Sequence, residues 1–207
     1  IQGNYKNHFT NSFEQEVIYE DGVYYLGLGL DFGAWEEAKE IDIKKNLEKR
    51  DFFDPIDDPK IISLAKQGIN GATTVEGKVK NLFSFVSDYI EDDMTLGNVT
   101  TVYDIINKKK GDCSEHTFLF NVLARSIGIP SREVGGYAFD PESNAYAGHA
   151  WNEVAIDGYW HPVDPMWNEW LPSRSHIKFN KEGDGSFSQL NLKLVKIEYG
   201  NGEEQFF

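Results

Sequence analysis

The sequence is poor in cysteine, since Cys113 is the single cysteine among 207 residues. One thiol cannot form an internal disulfide, which excludes the disulfide-stapled class of small domains. It also excludes any metal site that needs two thiolates. Two roles remain open for Cys113, a small buried side chain or a reactive thiol.

Positive charge and long apolar runs are also scarce. Lys and Arg number 20 against 34 Asp and Glu, which gives a formal net charge of −14. Nucleic acid and anionic membrane surfaces carry charge of the same sign, so we expect neither as a partner. No apolar run reaches 18 residues, and the chain begins at Ile1, so we expect neither a membrane span nor a signal peptide. We favour an extracytoplasmic location whose targeting segment is not in this chain.

The first third of the sequence predicts an extension appended to a larger core. Residues 13–19 and 23–30 flank Asp21-Gly22, a pattern that predicts a β-hairpin. A charged helix is predicted over residues 34–50, and Asp58 followed by Pro59 predicts the cap of the next helix. We therefore divide the chain into an extension, 1–72, and a core, 73–207, with a C-terminal strand over 190–199.

Within the core, the sequence around Cys113 predicts a helix that begins at the thiol. Asp112 is a good N-cap, and Glu115 three residues later completes a capping box. Apolar residues then recur at helical spacing until Gly128 and Pro130 end the helix. A thiol in the first turn faces backbone N–H groups and the positive end of the helix dipole, and both favour the thiolate.

A nucleophilic thiolate needs an imidazole to move protons and a further group to orient that imidazole. His149 and Asp164 are the candidates, because the Asp157-Gly158 turn predicts a hairpin that pairs Ile156 with Tyr159. That register places Asp164 opposite Trp151, on the same face of the sheet as His149 and diagonally two residues from it. The sequence thus predicts contact between the imidazole and the carboxylate.

Several ordered motifs in this region are similar to those of the transglutaminase-like superfamily, and together they cover roughly residues 74–170. They are Gly111-Asp112-Cys113, Gly128-Ile129-Pro130-Ser131-Arg132, Gly136-Tyr137, Gly148-His149-Ala150-Trp151 and Trp160-His161-Pro162-Val163-Asp164-Pro165. The resemblance implies an α+β fold with a papain-like core, in which helices pack on an antiparallel β-sheet. It also implies Cys113 as nucleophile, His149 as general base and acid, and Asp164 as the orienting carboxylate.

The function implied is acyl transfer on a peptide or amide substrate through a thioester. Water as acceptor makes the protein a cysteine peptidase or amidase, and a lysine amine makes it a transglutaminase. We favour hydrolysis, because the sequence has no visible calcium site and lacks the extra β-sandwich domains of the animal cross-linking enzymes. A non-catalytic binding module that keeps the fold is the alternative from another class. The expected partner is a protein or peptide substrate, and the sequence leaves the oligomeric state open.

Some assignments stay open at this stage. Cys113, His116, His149 and Asp164 form a possible one-thiolate zinc site, but the Cys-His-Asp trio already accounts for the pattern, so we expect neither a metal nor a cofactor. The Cys113 backbone N–H is the expected oxyanion donor, with Tyr103 and Asn107 as candidates for the side-chain donor. We also expect Trp167 and Trp170 to cover the core near Asp164.

Overall fold

Local sequence signals explain where the helices of the computed structural model begin. The structure describes residues 9, 11–29, 33–49, 54–94, 101–140, 145–172, 175–179, 195–199 and 202–206. Within these residues the helices are α1 (Glu40–Lys45), α2 (Pro59–Gly68), α3 (Val75–Tyr89), α4 (Val102–Lys108) and α5 (Cys113–Ser126). The side chains of the two predicted N-caps, Asp58 and Asp112, each accept a backbone N–H of the first turn, and Thr74 and Thr101 do the same for α3 and α4.

Antiparallel strands form the sheet that carries the site. The strands of the described residues, in chain order, are β1 (Gln15–Glu20), β2 (Val23–Leu28), β3 (Glu91–Asp92), β4 (Lys110–Gly111), β5 (Ser131–Asp140), β6 (Ala145–Ile156), β7 (Tyr159–Asp164), β8 (Glu169–Trp170), β9 (His176–Lys178), β10 (Lys196–Glu198) and β11 (Glu204–Phe206). The main sheet has the order β8-β7-β6-β5-β9, and β1 pairs with β2 as predicted.

The core lies between α5 and the main sheet, with α2, α3 and α4 packed around α5. Its members are buried apolar side chains from these helices and from the inner face of β6 and β7. They include Ile61, Ala65, Val79, Leu82, Val86, Val102, Ile105, Leu119, Phe120, Leu123, Val154 and Val163. Ile61 and Ala65 of α2 belong to this cluster, so residues before 73 also contribute side chains to the core. The domain boundary itself stays a prediction.

The predicted helix over residues 34–50 is wrong in its first part. Only Glu40–Lys45 is α-helical, and no residue of this short helix is buried. The backbone before it is extended and lies along β7: the Ala38 N–H donates to the Gly158 carbonyl, and the Trp160 N–H donates to the Glu36 carbonyl. These bonds satisfy backbone groups at the edge of the sheet, and this long-range gain outweighs local helix propensity.

An ion network holds this extended segment and β9 to the sheet. Glu153 of β6 is nearly fully buried. Its carboxylate accepts hydrogen bonds from Arg132, at 2.6 Å, and from Lys178. Glu36 bonds to the same two cations from the extended segment. The Arg132 guanidinium lies 4.1 Å from the centre of the Trp160 ring, so its charge is stabilised by the ring as well.

The C-terminal strand is found in part. Residues 196–198 are extended and pair with residues 204–206, whereas 190–194 of the predicted strand lie outside the described residues. Among the described helices, none has both the length and the apolar character that crossing a membrane requires.

Candidate active site

The predicted capping box positions Cys113 at the start of α5. The Asp112 carboxylate accepts the Ser114 N–H at 2.7 Å, and the Glu115 carboxylate accepts the Asp112 N–H at 2.8 Å. Gly111 precedes the box because a Cβ at this position would lie 2.3 Å from the Cβ of Glu115. Cys113 is a free cysteine and is half-buried.

The predicted hairpin register brings His149 and Asp164 together. Ile156 pairs with Tyr159 and Asn152 with Val163, so the register agrees with the one expected from the turn. His149 Nε2 lies 2.7 Å from Asp164 Oδ2, and the side chain of Asp164 is fully buried. The other carboxylate oxygen, Oδ1, accepts the N–H groups of Met166 and Trp167 at 2.9 and 3.1 Å. These bonds fix the carboxylate against rotation.

The Cys113 side chain lies near enough to His149 to act on the pKa of the imidazole. Since Asp164 occupies Nε2, Nδ1 is the ring nitrogen that remains for the thiol. Burial alone would lower the pKa of His149, but the hydrogen bond to Asp164 and the interaction with Cys113 outweigh burial and raise this pKa to about 9. Burial would likewise raise the pKa of Asp164, yet hydrogen bonds from His149 and His176 hold it well below its ordinary value. The imidazole and the carboxylate are therefore both charged at neutral pH.

Aromatic rings enclose the imidazole. Trp167 stacks on His149 with ring centres 4.3 Å apart and planes inclined by 13°, so the expectation that it covers the region near Asp164 is confirmed. The buried Trp151 ring is also near His149, with ring centres 6.3 Å apart. Trp170 instead packs against the core beside Phe83. The rings limit access of water to the His149–Asp164 hydrogen bond.

Sequence reasoning missed His176, which the structure places beside the site. Its Nε2 lies 2.9 Å from Asp164 Oδ2, the oxygen that also accepts the hydrogen bond from His149. His176 belongs to β9, a three-residue strand that pairs with β5. Neither a motif nor the short alternation of such a strand singles out this histidine in the sequence.

The four residues considered as zinc ligands from the sequence do not come together as one group of ligands. His116 is fully buried behind the start of α5, where its Nδ1 donates to the Asp112 carbonyl at 2.8 Å and its Nε2 lies 3.6 Å from Asp92. In the described part of the chain, the group with metal-ligand potential is His149, Asp164 and His176. The 2.7 and 2.9 Å separations of their polar atoms are those of hydrogen bonds. Ligands around a tetrahedral zinc lie farther apart, at about 3.3 Å.

The side-chain oxyanion donor remains unassigned. Tyr103 donates its hydroxyl to Asp58, the cap of α2, and Asn107 is exposed on α4. The Cys113 backbone N–H stays the predicted donor, because it lies at the N-terminus of α5 where helix N–H groups have no intrahelical partner.

The ion pair predicts a defined pH dependence of stability. The folded-state pKa of His149 lies above its unfolded value of about 6.5, so the contribution of its charged form is complete below about pH 6.5. It is lost as the pH rises through 9 and amounts to roughly 3 kcal/mol. For Asp164, whose pKa is depressed, the same interaction is present above about pH 4 and is lost as the pH falls.

Urea unfolding of the wild type and His149→Gln between pH 5 and 10 measures this dependence. Within this range the free-energy difference between the two proteins should be largest below about pH 6.5, should shrink as the pH rises from there, and should be lost above about pH 9. A difference that stayed constant up to pH 10 would contradict a charged His149 in the folded protein.

Comparison with known proteins identifies the family of the chain. The Transglutaminase-like superfamily matches residues 62–165, about half of the chain. Kyphoscoliosis peptidases of Mus musculus and Homo sapiens are each 33% identical over 82 residues, which cover 37% of this chain and 12% of theirs. The chain therefore corresponds to a small part of those relatives.

Solved structures share the fold. A candidate cysteine protease from Cytophaga hutchinsonii is 25% identical with a TM-score of 0.58, over 69% of this chain and 47% of that one. The periplasmic domain of TgpA from Pseudomonas aeruginosa is 21% identical with a TM-score of 0.50, over 63% of this chain and 48% of that one. The fold is thus the α+β, papain-like fold that the motifs implied, and the chain belongs to the transglutaminase-like superfamily.

Proposed function

We propose that this chain is a thiol-dependent hydrolase of peptide or amide bonds, with Cys113 as nucleophile, His149 as general base and acid, and Asp164 as the orienting carboxylate. The observation that carries the proposal is an arrangement in which the Cys113 side chain interacts with His149, and His149 hydrogen-bonds to the buried Asp164. It supplies a nucleophile, a proton carrier next to it and a group that fixes the carrier's tautomer.

The first half of the reaction forms a thioester. The Cys113 thiolate attacks the substrate carbonyl carbon, and the carbonyl electrons move to the oxygen. The Cys113 backbone N–H donates a hydrogen bond to this oxygen. As the tetrahedral species collapses, the C–N bond breaks and the amine leaves with the proton of His149 Nδ1. The ring then becomes neutral while Nε2 keeps its proton and its bond to Asp164.

The second half releases the acyl group. Neutral His149 takes a proton from water at Nδ1, and the oxygen of that water attacks the thioester carbon. The C–S bond breaks, the carboxylic acid leaves, and the thiolate–imidazolium pair is restored. The charged state of His149 at neutral pH, which its pKa of about 9 supports, is the resting state that this cycle requires.

Water is the proposed acceptor, and a lysine amine is the competing one. The same trio serves both outcomes, because the choice depends on how well the cleft excludes water and holds an amine. The likeness to a candidate cysteine protease, which has the highest similarity among the structures compared above, favours hydrolysis. The net charge of −14 favours substrates with basic residues near the cleaved bond.

Profiling a peptide library with and without a primary amine tests this proposal. Wild type should release new peptide termini in both conditions, and Cys113→Ala should release none. Amine-substituted product as the main species would reassign the activity to transamidation. Equal cleavage by wild type and Cys113→Ala would show that another residue is the nucleophile, and no product with either protein across the library would favour a binding module.

A further inference from the structure

Asp164 Oδ2 is shared by two imidazoles, and the proposed mechanism uses only one of them. His149 Nε2 lies 2.7 Å from this oxygen and His176 Nε2 lies 2.9 Å from it. The His176 side chain is 3% exposed, so water cannot replace this bond. Both nitrogens must be donors, because an ionised carboxylate can only accept.

Ser175 contacts the second ring nitrogen of His176. The Ser175 hydroxyl lies 2.8 Å from His176 Nδ1. With the proton of the neutral ring on Nε2, Nδ1 is an acceptor, and the hydroxyl is its natural donor. The hydrogen bonds then run in one direction, from the Ser175 hydroxyl to His176 and from His176 to Asp164.

The ring of His176 also closes the space around Asp164. It meets Trp151 edge to face at 4.9 Å and Trp167 at 5.4 Å between ring centres. The same two tryptophans flank His149. His176 therefore completes a wall of rings that keeps the carboxylate fully buried.

We propose that His176 is a positioning residue of the site, which holds Asp164 ionised and aimed at His149 by donating its Nε2 proton to the shared oxygen. The inference rests on the proposed function, since it gives His176 a role in orienting the imidazole that serves Cys113. It assigns Ser175 the lesser role of fixing the tautomer of His176.

Few other charges act on this arrangement. Besides Asp164 and His149, Glu169 of β8 interacts electrostatically with His176. Glu14, Glu153 and Lys178 line a small cavity together with His176. Glu153 is already bound by Lys178 and Arg132. Asp164 is therefore the charged group that hydrogen-bonds to His176 Nε2.

The test is the pH dependence of Cys113 alkylation by iodoacetamide. This assay needs no substrate, and all of its signal comes from Cys113 because the chain has a single cysteine. His176→Phe keeps a ring in the wall and removes the donor, so Asp164 becomes harder to ionise. A weaker carboxylate stabilises the imidazolium of His149 less, so the upper inflection of the rate profile, where His149 loses its proton, should move down by about one pH unit. His176→Gln, whose amide N–H can replace Nε2–H, should stay within about 0.3 unit of wild type, a small fraction of that shift.

Turnover of a peptide substrate provides a second readout. His176→Phe should lower kcat roughly 10- to 100-fold with KM little changed, in the range seen when outer partners of a site are removed. His161→Phe is the matched control, because His161 lies on β7 against Trp35 and Trp170 and away from Asp164. It should leave both the alkylation profile and kcat near wild type.

The outcomes separate the two proposals. If His149→Ala leaves the alkylation profile unchanged, Cys113 is not coupled to His149 and the proposed function fails. If His149→Ala changes the profile and His176→Phe does not, the role of His176 is wrong while the proposed function stands. NMR of the ¹⁵N-labelled wild type decides the matter even where a variant fails to fold. It should show the Nε2–H form of His176, and the Nδ1–H form would overturn the inference.

Discussion

Replacing Asp164 by asparagine is expected to lower kcat for amide cleavage by roughly 10³- to 10⁴-fold, the loss typical of a triad whose carboxylate is neutralised. The reason lies in the bonds that this side chain accepts. Oδ2 accepts hydrogen bonds from His149 and His176. Oδ1 accepts hydrogen bonds from the backbone N–H groups of Met166 and Trp167. An amide has one accepting oxygen, so its NH₂ group must face one of these pairs of donors.

Either orientation of the amide is therefore harmful. With the NH₂ group toward the histidines, the ring of His149 loses the acceptor that fixes its tautomer. With the NH₂ group toward the backbone, two buried N–H groups are left without an acceptor, which costs about 1–3 kcal/mol for each. Steady-state kinetics and urea unfolding measure the two effects separately.

Asp157→Asn is the matched control for this substitution. Asp157 lies in the turn at the other end of β7, is exposed, and has a φ of 50°. Asparagine adopts this left-handed conformation readily, so activity and stability should stay near wild type. Asp164→Asn activity within a factor of ten of Asp157→Asn would contradict the role given to the Asp164 carboxylate.

Replacing Gly136 by alanine should disturb the site from the far edge of the sheet. A Cβ at Gly136 would lie 2.0 Å from the Ile177 carbonyl oxygen and 2.6 Å from the Trp151 ring. Ile177 is on β9 next to His176, so relief of this clash moves β9 away from β5 and His176 away from Asp164. We expect a loss of about 1–3 kcal/mol in the free energy of unfolding, together with a lower kcat.

Gly135→Ala provides a control at the neighbouring residue. A Cβ at Gly135 meets no heavy atom within 4 Å, and Gly135 is exposed. The same added methyl group should leave stability within about 0.5 kcal/mol of wild type or raise it slightly. Thermal and urea unfolding of both variants measure the contrast. Equal stability of the two variants would show that β9 does not pack against Gly136 as described.

The residues of the site that could be predicted from the sequence are those governed by local rules. Asp112 and Glu115 specify the start of α5, and with it the position of Cys113. The Asp157-Gly158 turn specifies the register of β6 and β7, and the period of two along a strand then places Asp164 near His149. Each of these inferences spans fewer than twenty residues of sequence.

The parts that could not be predicted depend on contacts between distant segments. His176 reaches Asp164 because β9 pairs with β5, a contact that no pattern near residue 176 indicates. The extended backbone before α1 has helical propensity, yet its Ala38 N–H donates to the Gly158 carbonyl and its Glu36 carbonyl accepts the Trp160 N–H of β7. The ions around Glu153 likewise come from three separate parts of the chain. Tertiary contacts decide these features, and local propensity does not reveal them.

The most direct test of the proposed mechanism is to trap the acyl-enzyme. A chromogenic ester is mixed with the wild type, the reaction is quenched with acid, and the digested protein is analysed by mass spectrometry. We predict a burst of alcohol product and one acyl group on the peptide that contains Cys113, with neither in Cys113→Ala. Product formed by the wild type with Cys113 unmodified, or an acyl group on another residue, would contradict the proposed mechanism.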